Sequence, residues 1–340
     1  MHHWGILHTM KASYREKAEY HAARMYYGEH RTMQSVAAEL GVSRSTVSRL
    51  LQQARRQGIV RISLHPPVDR TSALEHRIGE LYGVRAHVAV SERGDDPARR
   101  SDSVSVLAAG LIDRLVTPGA VVGVAWGQTM TSVVARLNRR EVPDLHVVQL
   151  NGAVNSEPEG IGAPLGTGIG VVERFAAAYG ARAHVFAVPA FFDYEETKKA
   201  LWRERSTRRI LDMHRRASLA VFGVGTFAEG QASQVYSGGY LSRDDLNALS
   251  AEQVVGDVCT VFLRADGSWE DIALNSRGSG PVPTELVEVP RRVCVVNGPH
   301  KVPALRGALA AGLVTDLVLD QISADRLAYG QHRDQAVAEG

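Results

Sequence analysis

The chain has 340 residues, 44% hydrophobic and 22% charged, enough to bury a sizeable core in two domains and unlike collagen, disordered or small stapled scaffolds. Its net charge of +2 does not by itself call for a polyanionic partner. Two cysteines far apart, Cys259 and Cys294, exclude a CxxC framework or zinc site and fit a reducing cytosol, and no apolar run nears the roughly 18 residues of a membrane span.

The charge is unevenly spread. Residues 11–65 hold ten Lys or Arg against four Asp or Glu, or +6; subtracting from the totals of 39 and 37 leaves 29 against 33, or −4, for residues 66–340. A basic head on a mildly acidic body suggests a nucleic-acid-binding module joined to something else. Residues 1–12 lack a secretion signal and read as a loose leader.

In the head, Ala18, His21, Ala22, Met25 and Tyr26 recur at helical spacing over residues 13–28. Thr32 is placed to cap a second helix carrying Val36, Ala37 and Leu40, which Gly41 stops. Val42 then turns to the core, Ser43 caps a third helix, and Val47, Leu50, Leu51 and Ala54 line that helix. A small residue at the crossing, a Gly four residues on and branched anchors in the second helix are the joint demands of a helix-turn-helix; Ala37, Gly41, Val47 and Leu50 meet them. On the outward face of the second helix stand Arg44, Ser45, Thr46, Ser48 and Arg49, able to donate to base edges or phosphates. Arg44 and Arg49 either read bases or touch phosphate, whereas Arg55, Arg56 and Arg61 are expected on the backbone. After Gly58 the alternation of IVRISL, within residues 56–64, resembles the ribbon of a winged variant. The DNA-binding domain is thus placed at residues 13–64.

The HPP at 65–67 breaks the pattern. Residues 65–84 are expected to form a linker and a helix through Leu74, Ile78 and Leu81, serving either domain packing or a dimer contact. Residues 85–330 form the second domain, with a tail at 331–340. Strands are expected at 86–90, 120–124, 147–150, 184–188, 219–224 and 292–296, with helices at 104–116 and 129–137, an alternation that implies a mostly parallel sheet covered by helices.

Ligands of such sheets bind beyond the carboxyl ends of strands, where Gly-rich turns let backbone amides approach an anion. Three strand ends qualify: Gly127, Gln128 and Thr129 after the first; Gly223, Gly225 and Thr226; and Gly298, whose turn delivers Lys301. Together they favour an anionic metabolite. Glycines 160, 162, 166, 168 and 170 miss the G-x-G-x-x-G spacing and read as a mobile loop. There is no P-loop, HExxH or GxSxG, so no catalytic residue, metal or cofactor is assigned, and DGSWED reads as a turn at a strand edge.

The helix-turn-helix followed by VGVAWGQT, VVQLNG, VPAF, VFGVGT, VVGDV, NSRGSG, GPHKVPALRGAL and LVTDLVLD resembles the SorC family of bacterial sugar-binding transcriptional regulators, over about residues 13–330. The resemblance implies an α/β effector domain similar to ribose-5-phosphate isomerase and glucosamine-6-phosphate deaminase, a phosphorylated sugar or polyol effector, double-stranded operator DNA, and a homo-oligomer, dimer or tetramer. It also implies roles: Gly127, Gln128 and Thr129 as phosphate loop, Asp257 as acceptor for sugar hydroxyls, and Lys301 as phosphate partner. Asn151 in QLNG cannot form a Schiff base, and Ser279 and a Pro in NSRGSGPVP depart from the family's pattern. The rival is an isomerase or deaminase carrying a DNA-binding head; no carboxylate pair in a Gly-flanked loop supports it. A third reading, a body that only oligomerises, predicts no ligand-induced stabilisation.

Overall fold

The computed structural model describes residues 17–60, 70–90, 96–152, 168–227, 232–237 and 239–338. The chain divides into two compact units, residues 1–67 and 68–340.

The first unit is helical. Residues 17–28 form a helix whose last turn, Arg24–Gly28, is wound as π-helix. Its buried stripe is Ala22, Ala23 and Met25, so His21, expected on that stripe, is exposed instead. The helix Met33–Leu40 starts at Thr32, whose hydroxyl accepts from the Ser35 amide at 3.2 Å, and stops at Gly41 with φ +64°. Val42 does not return to the core. Its amide bonds to the Ala37 carbonyl to close the turn, which leaves its side chain 37% exposed. The helix Arg44–Arg56 is capped by Ser43 and buries Val47, Leu51 and Ala54 against Val36, Ala37 and Met25. The expected ribbon runs into residues 61–69, outside the described residues.

The second unit is built on seven strands: β1 (Arg85–Ala89), β2 (Val121–Val124), β3 (His146–Gln149), β4 (Arg182–His184), β5 (Leu219–Phe222), β8 (Arg291–Val296) and β9 (Asp316–Asp320). Their order is β1-β9-β8-β5-β2-β3-β4, and every pairing is parallel. Strands β6 (Val254–Val258) and β7 (Val261–Arg264) form a separate antiparallel hairpin. Continuous Val-rich strands suit a sheet buried on both faces, and β2 and β5 are fully buried. Of the expected strands, the fourth is displaced: pairing ends at His184, the Val188 amide turns back to the Phe186 carbonyl at 2.8 Å, and Phe186, Val188 and Phe192 form a small cluster of their own. The helix Arg70–Tyr82 belongs to this unit, because Leu74 and Ile78 are buried in its core. Gly168 and Gly170, expected in a loop, open the helix Gly168–Tyr179; glycines 160, 162 and 166 lie outside the described residues. Among the described residues, no helix is long and apolar enough to cross a membrane.

The chain runs outward from β2 through β3 to β4, then returns to the other side of β2 as β5. The carboxyl ends of β2 and β5 therefore diverge into a crevice, the switch point where open α/β sheets bind ligands. At the opposite end of the sheet, the Asp316 carboxylate is fully buried. Arg85 reaches it at 2.9 and 3.1 Å, Arg291 at 3.0 and 2.7 Å, and the Thr315 hydroxyl donates at 2.7 Å. Despite burial, His87, whose Nε2 lies 3.9 Å away, together with Arg85, Thr315 and Arg291 holds the carboxyl far below its ordinary value of 3.8. Asp316→Asn leaves two arginines facing a neutral amide between β1, β8 and β9, and should cost about 3 kcal/mol in urea unfolding at pH 7. Because the native carboxyl is depressed, that contribution stands at neutral pH and is lost as pH falls below 3.8, so the stabilities of variant and parent should converge in acid.

Candidate functional site

The crevice is lined by the turn after β2 (Ala125–Thr129), the turn after β5 (Gly223–Gly225), Asn151 after β3, Asp257 in β6 and Lys301 beyond β8. Gly127, Gln128, Thr129, Gly223, Gly225, Asp257 and Lys301 therefore meet in one place, whereas Thr226 and Gly298, also expected at the strand ends, are not among the residues that line it. The inner crevice is narrow, about 70 Å³, and shares Gln128, Thr129, Ser233 and Lys301 with an outer cavity of about 660 Å³ that also carries Ser101, Ser132, Ser237, Asn297 and His300.

Each residue is placed by a local constraint. Gly127, with φ +139°, begins the helix Gln128–Val134 and accepts from the Thr131 amide at 2.9 Å. Gly225 exchanges backbone hydrogen bonds with Asp257 at 2.8 and 3.2 Å, and a Cβ there would lie 1.9 Å from Asp257 Oδ1. Only a glycine lets the turn after β5 sit this close to the carboxylate. Gly298, with φ +98°, donates to the Asp320 carboxylate at 2.7 Å and turns the chain so that Lys301 faces back over the sheet. The Lys301 ammonium donates to the Thr129 hydroxyl at 3.3 Å. On the side of β3, the Trp126 indole donates to the Gly152 carbonyl at 2.8 Å, and buried Ser279 joins the Gly152 amide to the Ala190 carbonyl, each at 2.9 Å. The departing Ser279 is thus a hydroxyl strut beside Asn151.

In the helical unit, Arg44, Ser45, Ser48, Arg49 and Arg56 are exposed on the helix Arg44–Arg56, and Thr46 is half-buried. Thr46 also helps to cap its own helix: its amide donates to Ser43 Oγ at 3.1 Å and its hydroxyl lies 2.9 Å from it. Arg55 is held by its own unit, donating to the Tyr27 hydroxyl at 2.9 Å with its guanidinium 5.5 Å from that ring's centre.

Residues 66–328 match the family model described as "Putative sugar-binding domain", and residues 22–57 match sigma-70 region 4. The chain is 32% identical over 308 residues to the deoxyribonucleoside regulator of Bacillus subtilis strain 168, covering 90% of this chain and 95% of that one. Full-length sorbitol operon regulator SorC from Klebsiella pneumoniae superposes with a TM-score of 0.76 at 25% identity, covering 90% of this chain and 96% of that one. The chain belongs to the SorC family of sugar-binding transcriptional regulators. A domain of "a possible sugar-binding transcriptional regulator" from Arthrobacter aurescens TC1 is 47% identical with a TM-score of 0.70, covering 78% of this chain and all of that one. This SorC-family protein is accordingly a DNA-binding transcriptional regulator with an N-terminal helix-turn-helix and a sugar-binding α/β domain.

The electrostatics of this SorC-family crevice divide it into a cationic and an anionic end. Burial lowers the Lys301 pKa, while Cys294 and Asp257 work against that. Burial pushes the Asp257 carboxyl up to about 6, opposed by the Tyr236 hydroxyl, the Thr260 amide and Lys301. Oδ2 of Asp257 accepts from the Thr260 amide at 3.1 Å, but Oδ1 completes no hydrogen bond among the described residues. Oδ1 of buried Asn151 is likewise left without a partner. Unpaired buried polar atoms are costly, and two of them on residues lining one crevice call for hydrogen-bonding partners from outside the fold. Asn151 was not expected to supply a ligand contact; an Asn immediately after an apolar strand was the available signal.

Because the native Asp257 carboxyl is raised from 3.8 to about 6, its favourable contribution is present below pH 3.8 and is lost as pH rises through 6. The gap corresponds to on the order of 3 kcal/mol. Asp257→Asn cannot ionise, so between pH 4 and 7 the ligand-free wild type should lose on the order of 3 kcal/mol relative to this variant in paired urea titrations. Parallel pH profiles would show that Asp257 is solvated.

Proposed function

We propose that the effector is a phosphorylated sugar or polyol, that its phosphate sits at Lys301 and Thr129, and that its hydroxyls donate to Asp257 and Asn151. One observation carries this reading: the Lys301 ammonium and the Thr129 hydroxyl form one cluster, 3.3 Å apart, in a crevice also lined by Asp257 and Asn151, whose buried Oδ1 atoms lack hydrogen-bond partners. Gly127, Gly223 and Gly225 supply backbone without side-chain obstruction, Gln128 opens the helix that follows, and the outer cavity gives room for a whole sugar. Ionised Asp257 is an acceptor only, so at neutral pH it selects for hydroxyl donors. The names of the relatives, a deoxyribonucleoside regulator and a sorbitol operon regulator, fit the sugar and polyol class.

Binding then controls transcription through the assembly. The effector favours one arrangement of a dimer or tetramer by its differential affinity, which changes how the paired helices Arg44–Arg56 match an operator in the cytoplasm. Arg44 and Arg49 are assigned to base edges, with Ser45, Thr46 and Ser48 positioning the helix; Arg56 is assigned to phosphate, and Arg55 acts there while stacked on Tyr27. The protein is read as a non-enzyme, since Asp257 is the sole carboxylate lining the inner crevice among the described residues and proton transfer between adjacent carbons needs a base within reach of both. Pentose and hexose phosphates incubated with the protein should remain unchanged; measurable isomerisation or deamination would support the enzyme instead.

A thermal-shift screen across phosphorylated and free sugars tests the effector class. A ligand at 100 times its Kd adds about 2.7 kcal/mol, on the order of 5 °C. Lys301→Ala and Thr129→Val should each abolish the shift given by a phosphorylated ligand while DNA binding persists, and retention of the shift in both variants would move the phosphate elsewhere. Arg49→Ala should weaken operator binding by about 1–3 kcal/mol while leaving unrelated DNA little affected. An equal loss on both DNAs would place Arg49 on phosphate.

A further inference from the structure

The same domain carries a second cavity, at the end of β2 remote from the crevice. It has a volume of about 420 Å³ and lies between the amino ends of β2 and β3, the end of β4 and the helix Arg205–Arg215. Arg205, Arg208, Arg209 and Arg216 line it, and His146 and His184 form part of its wall. The one acid among its lining residues, Asp212, is paired with Arg215. None of the four lining arginines has a carboxylate partner among the described residues, and all four are exposed.

This arrangement is unfavourable in the isolated protein. Arg205 and Arg208 are three residues apart and Arg205 and Arg209 four, so like charges face each other along one side of a helix. Arg205 is also the first residue of that helix, where the macrodipole disfavours a cation, and the N-cap residue, Glu204, makes no side-chain cap. The histidine rings stack with centres 5.1 Å apart and share a hydrogen bond of 2.8 Å between His146 Nδ1 and His184 Nε2, so one nitrogen must be an acceptor. Burial, His146, Arg209 and Arg182 all hold His184 towards its neutral form. Solvated arginine stripes are normally interleaved with acids; this one is gathered around a concavity with its single acid already engaged.

We propose that this cavity is an anion site for a compact polyanion carrying at least two phosphoryl groups, distinct from the effector crevice. Four guanidinium groups and one engaged carboxylate leave a surplus of three positive charges among the non-histidine lining groups, which matches a diphosphate better than a monophosphate. Guanidinium forks engage phosphoryl oxygens in bidentate fashion, and a bound anion also relieves the repulsion along the helix. A concave wall between helix and sheet suits a small ligand more than the convex backbone of a duplex.

Inorganic pyrophosphate is the probe. Calorimetric titration of the full-length protein should show binding that is weakened roughly tenfold or more in Arg208→Gln/Arg209→Gln, and in a second pair, Arg205→Gln/Arg216→Gln. All four side chains are exposed, and a melting temperature no lower than the wild type's verifies that the variants fold. In the Lys301→Ala background, which removes the phosphate partner of the effector crevice, pyrophosphate binding that depends on the four arginines should persist, and orthophosphate should bind more weakly. Absence of binding at millimolar pyrophosphate, or loss of binding in Lys301→Ala with retention in both arginine pairs, would overturn the assignment. So would arginine variants that keep pyrophosphate affinity but lose affinity for duplex DNA, an outcome that would make this surface a backbone contact.

Discussion

The pairing of β2 with β5 is the constraint on which the effector domain depends. Once the chain has gone out from β2 through β3 to β4 and come back on the opposite side, the turns at the carboxyl ends of β2 and β5 point away from each other. Glycines and a few polar groups border that gap together with Trp126, Met130, Val224 and Val235. Gly225 reinforces it by clasping Asp257 of the separate hairpin through two backbone bonds, which brings a carboxylate from outside the sheet to the ligand crevice. The Lys301 ammonium arrives from beyond β8 by way of the Gly298 turn. Three chain segments remote in sequence are thereby forced to present a cation, a hydroxyl and acceptor oxygens to the same small volume.

The domain holds these groups at some cost. Burying Asp257 without a full set of donors and leaving Asn151 Oδ1 unpaired are penalties that a fold optimised only for stability would avoid. Asp316 shows what full compensation looks like in the same sheet: an equally buried carboxylate, but ringed by Arg85, Arg291 and Thr315 and held strongly ionised. The contrast separates a carboxylate that fastens strands from one buried with an unpaired oxygen at the proposed effector site.

Local chemistry made the helix-turn-helix legible. Thr32, Gly41 and Ser43 fix its boundaries by caps and a left-handed turn, which depend on neighbours within four residues. Val42 and His21 misled because hydrophobicity at a turn and periodicity along a short helix do not reveal how a π-wound turn rotates the stripe. In the larger unit, Val-rich β2, β3, β5 and β8 stood out as continuous apolar runs, whereas β4 is short and polar and its true position depends on pairing with β3. β6 and β7 carry Gly256, Asp257 and Arg264 within their apolar runs, which weakens any alternation. The glycine turns and Lys301 were legible as strand-end residues that converge on one crevice, and the family resemblance supplied Asp257. Asn151 joins the candidate site only through tertiary placement, since nothing nearby in the chain dictates that its oxygen goes unpaired.

Joining a sugar-binding domain to a helix-turn-helix makes a regulator only if ligand and DNA affinities are coupled, and the coupling energy must come from unequal binding to two states. The most direct measurement is an anisotropy titration of promoter DNA with the full-length protein, with and without the phosphorylated sugar that stabilises it most, at fixed salt. The present account requires the DNA dissociation constant to change by about 5- to 150-fold in one direction, and to stay constant in Lys301→Ala. An identical dissociation constant with and without saturating ligand in the wild type would contradict it.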